Sequence, residues 1–149
     1  MRYTSFFFQW KPYEQYEMSE CRGIFLEELT LKYLKTNYKN DTIYPESKII
    51  IDNYSSHTWD MIINLDKYYK LYECKYSTYY LKRKHLDNMI SLKNKLKNSR
   101  IYLVIYENKT LIDYVIKKLK MNTNKDIYEE NIKKINIFTL ENFVNRDLL

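Results

Sequence analysis

The hydrophobic positions of the chain repeat with two different spacings, and these spacings predict the order of its helices and strands. Apolar residues three to four apart predict a helix over about 19–38, with Ser19 as its N-cap, and two more over 79–98 and 110–120. Short runs of β-branched and aromatic residues predict strands at 47–51, 58–64, 68–76, 100–106 and 134–140.

The predicted order is therefore helix, three strands, helix, strand, helix, strand. Three successive strands predict an antiparallel meander, and a strand–helix–strand unit predicts a right-handed crossover between parallel strands. The expected fold is α/β, with a mixed central β-sheet, an αβββαβ core flanked by helices, and a C-terminal helix and strand. Residues 1–18 are unusually aromatic without a clean period, so we expect an N-terminal arm that packs on the body or on a second copy.

The composition limits the class of protein. A chain of 149 residues is most simply one domain, 1–149, and a content of 45% hydrophobic and 17% aromatic residues excludes intrinsic disorder. The longest apolar run, at 6–8, is far shorter than the roughly 20 residues that span a bilayer. We therefore expect a cytoplasmic protein without a membrane partner, in which the two cysteines are reduced.

The charge favours a polyanionic partner without identifying one. The formal net charge is +6, and most of the positive charge comes from lysine. The chain is also dense in Lys, Asn, Ile and Tyr, whose codons are rich in A and T. This composition suggests an AT-rich genome, so codon bias is an alternative source of part of the basicity.

The second and third predicted strands are so close in sequence that we expect an antiparallel hairpin, and we take its turn to be at Asp66 and Lys67. This turn places Asp60 directly opposite Glu73. Because alternate residues of a strand share a face, Lys75 joins them. The opposite face is predicted to be apolar or aromatic, with Trp59, Met61, Ile63, Tyr72, Cys74 and Tyr76.

Two directly opposed carboxylates repel each other unless a cation lies between them. Mg²⁺ would remove that cost, since it prefers carboxylate oxygens and water, and the backbone carbonyl of Cys74 could add a ligand. Lys75 would hold or activate a water without being a ligand, which suits metal-assisted phosphodiester hydrolysis. The alternative is that Asp60, Glu73 and Lys75 lie on the solvent face of an edge hairpin and form a cross-strand ion pair.

The first predicted helix supplies a third carboxylate. Glu27 lies four residues after Gly23, the only glycine of the chain. We expect this helix to cover the Ile62 and Leu71 part of the sheet and to bring Glu27 to its charged end. The alternative is an ordinary exposed helix glutamate, of which the neighbouring Glu28 is an example.

These residues together resemble the PD-(D/E)XK nuclease superfamily, which has the restriction-endonuclease-like fold. The resemblance rests on "GIFLE" in the first helix, "WD" entering a strand, "ECK" in the next strand and a further strand after a basic helix, and it covers roughly residues 20–106. The E-x-K triplet is weak alone and gains weight from the other elements. Trp59 stands where the name of the family has proline.

The resemblance implies a Mg²⁺- or Mn²⁺-dependent endonuclease that acts on DNA, with RNA as an open alternative. It implies that Asp60 and Glu73 bind the metal, that Lys75 positions the nucleophilic water, and that Glu27 binds the metal or its water. Because no separate DNA-reading domain is expected, a structure-selective, nonspecific or partner-directed enzyme is favoured. A homodimer would be needed to cut both strands.

Two other functions stay open, namely a non-catalytic nucleic-acid-binding or assembly module on the same fold and a branched-DNA resolvase. Basic residues on or beside the second helix are candidates for phosphate contacts: Lys82, Arg83, Lys84 and Lys93. A solvated lysine face is an equally good interpretation. Tyr79 and Tyr80 are expected to stack on a substrate, to pack in the core or to contact a loop, and His85 is expected on the surface.

Overall fold

A computed structural model of the protein describes residues 15–39, 42–120, 130 and 132–145. The helices include α1 (Gln15–Asn37), α2 (Arg83–Lys95), α3 (Lys109–Lys120) and a short helix, Leu140–Asn145. The strands include β1 (Ile43–Ser47), β2 (Ile50–Ile51), β3 (Tyr54–Ser55), β4 (Trp59–Leu65), β5 (Tyr68–Lys75), β6 (Ser99–Ile105) and β7 (Ile135–Phe138). Of the aromatic arm predicted over 1–18, residues 1–14 lie outside the described residues. Residues 15–18 belong to α1.

Five strands form one mixed sheet in the order β1, β4, β5, β6, β7, which confirms the predicted mixed α/β architecture. The neighbours β1, β4 and β5 are antiparallel, whereas β5, β6 and β7 run parallel. The chain between β5 and β6 contains α2 and that between β6 and β7 contains α3, as connections between parallel neighbours require. Among the described residues, no helix is both long and apolar enough to cross a membrane.

The first strand of the sheet begins four residues earlier than the predicted strand at 47–51. The strand beside β4 is β1, and it contains Pro45. Proline is ordinarily a signal against a strand, but an edge strand tolerates it because only one side of the strand is paired. The isoleucines of β2 pair instead with β3 in a separate two-stranded ribbon, whose turn contains Asp52 at a positive φ of 49°.

The sheet carries one hydrophobic core on each face. On the face of Ile62 and Leu71, α2 and α3 bury Leu86, Met89, Leu92, Ile112 and Ile116. On the other face, α1 buries Leu26 and Leu34 against Met61, Ile63, Tyr72 and Cys74. The expectation that α1 covers the Ile62 and Leu71 part of the sheet is therefore wrong, because α2 and α3 fill that face.

The position of Trp59 is a second departure from the predicted alternation. Trp59 is expected on the Met61 face, but its fully buried side chain belongs to the core that contains Ile62 and Leu71. The pairing of β4 with β5 ends at Met61 and Tyr72. Beyond that pair β4 is paired with β1 alone, whose ladder reaches Ser47 opposite Trp59 and contains Glu46 at a positive φ of 43°. The departure from alternation falls in this stretch.

The second helix is shorter than the predicted 79–98. The residues Thr78–Tyr80 form a 3₁₀ turn, which Ser77 stabilises by accepting a hydrogen bond of 3.1 Å from the N–H of Tyr79. The helix α2 begins only at Arg83 and ends at Lys95. The bounds of β4, β5, β6 and α3 agree with the predictions to one residue, while β7 ends two residues early because a short helix begins at residue 140.

Replacing Leu26 with alanine should lower the free energy of unfolding by about 2–5 kcal/mol, because this residue of α1 is fully buried against the sheet. Ile24 lies on the same helix and is 59% exposed, so Ile24→Ala should change that free energy by less than about 0.5 kcal/mol. Urea unfolding of the wild type and both variants, followed by circular dichroism, measures the two effects. Equal losses would contradict this orientation of α1.

Candidate active site

The charged end of the β4–β5 hairpin holds the predicted site residues. The hairpin has the predicted register, and its last pair is Met61 with Tyr72. The same register would place Asp60 directly opposite Glu73. These two residues lie just beyond the last pair, on the side away from the turn. The Oδ2 atom of Asp60 instead accepts a hydrogen bond of 2.5 Å from the backbone N–H of Cys74. A side chain thus takes the place of a main-chain acceptor where the ladder ends.

Glu73 is held by two cationic or proton-bearing partners. Its Oε1 lies 2.5 Å from Nζ of Lys75, and its Oε2 lies 3.1 Å from Nε2 of His57. The ammonium of Lys75 also donates to the backbone carbonyl of Cys74 at 3.2 Å. The side chains of Glu73 and Lys75 are only 7% and 20% exposed. These values do not fit the alternative of an ion pair on a solvent face.

The pKa values of the two carboxyl groups move in opposite directions. Burial, followed by the charge of Glu73, raises the pKa of Asp60 from 3.8 to about 7, although the hydrogen bond from Cys74 opposes the rise. Burial also acts to raise the pKa of Glu73, but the hydrogen bond from His57 and the charge of Lys75 outweigh it and lower the pKa. At neutral pH Glu73 is ionised, while Asp60 holds a proton part of the time.

The ammonium of Lys75 is stabilised by the same cluster. Burial acts to lower the pKa of Lys75, but the charge of Glu73 and the hydrogen bond to it raise the pKa above its ordinary value. The side chain therefore stays protonated at neutral pH. It supplies hydrogen-bond donors and a positive charge, and it is not a general base.

Glu27 comes to the site from the opposite face of the sheet. The helix α1, which carries Glu27, packs on Cys74, the residue between Glu73 and Lys75. Burial raises the pKa of Glu27, the charge of Lys75 lowers it, and the charges of Glu46 and Glu73 raise it further. The predicted face of α1 is wrong, yet the carboxyl group of Glu27 lies within the electric field of the other site residues.

Two residues at the site have little signal in the sequence. His57 lies in an irregular segment before β4, where no periodicity indicates the direction of a side chain, and its ring is 4.4 Å from the ring of Trp59. Glu46 lies in the exposed edge strand with a positive φ of 43°, and its charge acts on Glu27. The one sequence signal was that His57 lies three residues before Asp60, and no signal indicated Glu46.

The candidate phosphate contacts on and beside α2 divide between its two ends. The first three are at its beginning: Lys82, Arg83 and Lys84. His85, predicted on the surface, is half-buried, and burial followed by the charge of Lys75 lowers its pKa, so this end of α2 faces the site. Lys93 lies about 15 Å further along the helix, where its ammonium donates to the carbonyls of Lys97 and Ser99. The structure does not bring Lys93 to the other three.

The oxygen atoms at this site are of the kind that Mg²⁺ and Mn²⁺ prefer, namely two carboxylates and a backbone carbonyl. In the part of the chain that the structure describes, no three His, Cys, Asp or Glu residues are grouped to hold a metal ion. The ammonium of Lys75 is hydrogen-bonded to both Glu73 and the Cys74 carbonyl. The donor set fits a divalent cation in its chemistry, and Lys75 competes with such a cation for the oxygens of Glu73 and Cys74.

No model of a known protein family matches the chain, and no curated protein matches it either. The class of function is therefore inferred from the geometry of the site and from the resemblance of its motifs. Cys74 itself is excluded as a nucleophile, because its buried thiol packs under α1 and burial raises its pKa well above the ordinary value.

Replacing Asp60 with asparagine should stabilise the protein relative to the wild type as the pH rises from about 4 to about 8. In that range the folded state keeps a proton on Asp60 that the unfolded chain releases, so the wild type loses stability with rising pH. A rise in pKa from 3.8 to about 7 limits the effect to about 4 kcal/mol. Asparagine retains an acceptor for the N–H of Cys74.

Urea unfolding in EDTA at several pH values measures this difference. Asp66→Asn is the matched control, because Asp66 is an exposed aspartate in the turn of the same hairpin. This exposed-site variant should change the free energy of unfolding by less than about 0.5 kcal/mol. A constant difference for Asp60→Asn over the same range would contradict the raised pKa.

Proposed function

We propose that the protein is a Mg²⁺- or Mn²⁺-dependent nuclease with the restriction-endonuclease-like fold, and that it hydrolyses phosphodiester bonds in DNA. The observation that supports this function is the largely buried cluster of Asp60, Glu73 and Lys75 at one end of a hairpin. Burying charged groups costs several kcal/mol for each ion, and hydrophobic residues at the same positions would stabilise the fold at least equally. Such a cluster is therefore better explained by chemistry than by folding.

The order of the elements supports the same proposal. The elements α1, β1, β4, β5, α2 and β6 follow one another in the αβββαβ order that the resemblance implies, with the small ribbon inserted after β1. The sheet then continues through α3 to β7. This agreement concerns the order of elements and their pairing, which many functions share, so the site carries more weight than the fold.

Each site residue has a role in the proposed reaction. Asp60 and Glu73 would hold the metal with the Cys74 carbonyl, and Glu27 would bind the metal or its water. The bound metal would supply charge neutralisation and a more acidic water. Lys75, which stays protonated, would position that water through its N–H donors and stabilise negative charge on the phosphate. His57 would fix the Glu73 carboxylate by its hydrogen bond to Oε2.

The substrate and the assembly are less closely defined. The exposed Lys82 and Lys84 lie near the site and favour a polyanionic substrate, which leaves RNA and branched DNA as alternatives to other forms of DNA. A single site of this kind cuts one strand, so a homodimer or a guiding protein partner is part of the proposal. The arm suggested for the dimer interface lies largely outside the described residues.

A non-catalytic nucleic-acid-binding module is the second candidate. It is favoured by one observation, since Lys75 and His57 both engage the carboxylate of Glu73 and so compete with a metal for its oxygens. The same basic surface at the beginning of α2 would serve this function. Cleavage and metal binding, tested separately, distinguish the two candidates.

Lys75→Ala and Asp60→Ala should each reduce the rate of cleavage by about a hundredfold or more, because each removes a group that acts on the transition state. The assay uses single-stranded, duplex and branched DNA and RNA, each with Mg²⁺ or with EDTA. Lys67→Ala and Asp66→Ala are matched controls, since both residues are exposed in the turn of the same hairpin. Metal-independent cleavage, or cleavage that neither site variant changes, would refute the proposed site.

Mg²⁺ or Mn²⁺ should raise the Tm of the wild type, because an ion that binds only the folded state stabilises it by mass action. At about a hundredfold excess over Kd the gain is about 2.7 kcal/mol, or several degrees for a chain of this size. Asp60→Asn should abolish the rise, whereas Asp66→Asn should retain it. An equal rise in both variants would show that the ion binds elsewhere.

A further inference from the structure

Two exposed tyrosines follow the strand that carries Glu73 and Lys75. Tyr79 is 84% exposed and Tyr80 is 39% exposed, and their ring centroids lie 5.2 Å apart with the rings perpendicular. They therefore do not pack in the core. Exposed aromatic rings beside a candidate site indicate an interaction surface, because burying them against a partner is favourable.

The backbone that carries the two rings is held in place. The N–H of Thr78 donates to Oε2 of Glu107 at 2.8 Å, and the N–H of Tyr79 donates to Oγ of Ser77 at 3.1 Å. Thr78 itself is buried, and so is Leu81 on the other side of the pair. A surface that is already ordered loses less conformational entropy when it binds.

In sequence, the tyrosine pair lies between the charged site and the basic beginning of α2. Tyr79 comes four residues after Lys75, so the two Cα atoms are at most about 14 Å apart. Lys82 and Lys84, both exposed, follow directly in sequence. Aromatic faces next to lysines are complementary to a strand that offers both bases and phosphates.

We propose that Tyr79 and Tyr80 form a stacking platform for unpaired bases, and that Lys82 and Lys84 contact phosphates of the same strand. The inference rests on the proposed function and narrows it to substrates with single-stranded nucleotides beside the site. Unpaired bases expose faces on which tyrosine rings can stack, whereas the bases of a duplex cover these faces with one another. A blunt duplex therefore offers this platform only its phosphates.

The double variant Tyr79→Ala/Tyr80→Ala should weaken the binding of a fluorescein-labelled single-stranded DNA by about tenfold or more, the loss expected for one or two stacked bases. Binding of a blunt duplex of the same length should change by less than about twofold. The measurement is fluorescence anisotropy in EDTA, so that no strand is cut. A single-stranded RNA of the same sequence identifies which sugar the platform accepts, and a loss on either strand supports the proposal.

Three controls separate stacking from other causes. Tyr79→Phe/Tyr80→Phe should bind as the wild type does, because the rings remain. Tyr44→Ala removes an exposed tyrosine from the edge strand and should leave the affinity unchanged. An abasic strand of equal length should bind the wild type at least about tenfold more weakly than the normal strand, because it keeps the phosphates and lacks the bases that would stack.

Unchanged single-strand binding by the alanine variant would overturn the proposal, and so would equal losses on single-strand and duplex DNA. Equal binding of the abasic and normal strands by the wild type would overturn it as well. Because these readouts need no cleavage, they are independent of the catalytic assay. If the platform binds single strands and no strand is ever cut, the proposed nuclease activity fails while the platform stands.

Discussion

The structure of the site depends on one hydrogen bond, in which the carboxylate of Asp60 accepts the N–H of Cys74. In a continued antiparallel ladder that N–H would donate to a backbone carbonyl of the neighbouring strand. With a side chain as the acceptor, the pairing of β4 and β5 ends at Met61. Before Met61, β4 is paired with β1 alone as far as Trp59, whose side chain enters the core under α2 and α3. The ring of His57, two residues earlier, reaches Glu73.

The same arrangement gives the two carboxyl groups unequal partners. Glu73 receives direct hydrogen bonds from Lys75 and His57, which keep it ionised in spite of its burial. Lys75 acts on Asp60 through its charge alone, and burial with the charge of Glu73 outweighs that attraction. Asp60 therefore holds a proton part of the time at neutral pH. A divalent cation that bound there would compete with this proton, so proton release should accompany metal binding.

Much of the fold could be predicted from the sequence because its signals are local. A two-residue turn at Asp66 and Lys67 fixes the register of the hairpin, and an unbroken apolar run marks β6. The first strand of the sheet was predicted four residues too late, because Pro45 is ordinarily a signal against a strand and β1 is an edge strand that tolerates it. The face of α1 could not be predicted, since it depends on which helices fill the other face, and that is a property of tertiary packing.

The site itself could be predicted only where strand alternation applies. Glu73 and Lys75 share a face because they are two residues apart in β5. Alternation does not apply to His57, which lies in an irregular segment, or to Glu46, which has a positive φ. Topology explains why such distant residues meet. On one side β5 pairs with an antiparallel strand and on the other with a parallel one, so its carboxyl end is the point where the sheet changes direction. Helices on both faces pass this end, and side chains from either layer can therefore act on the same two carboxylates.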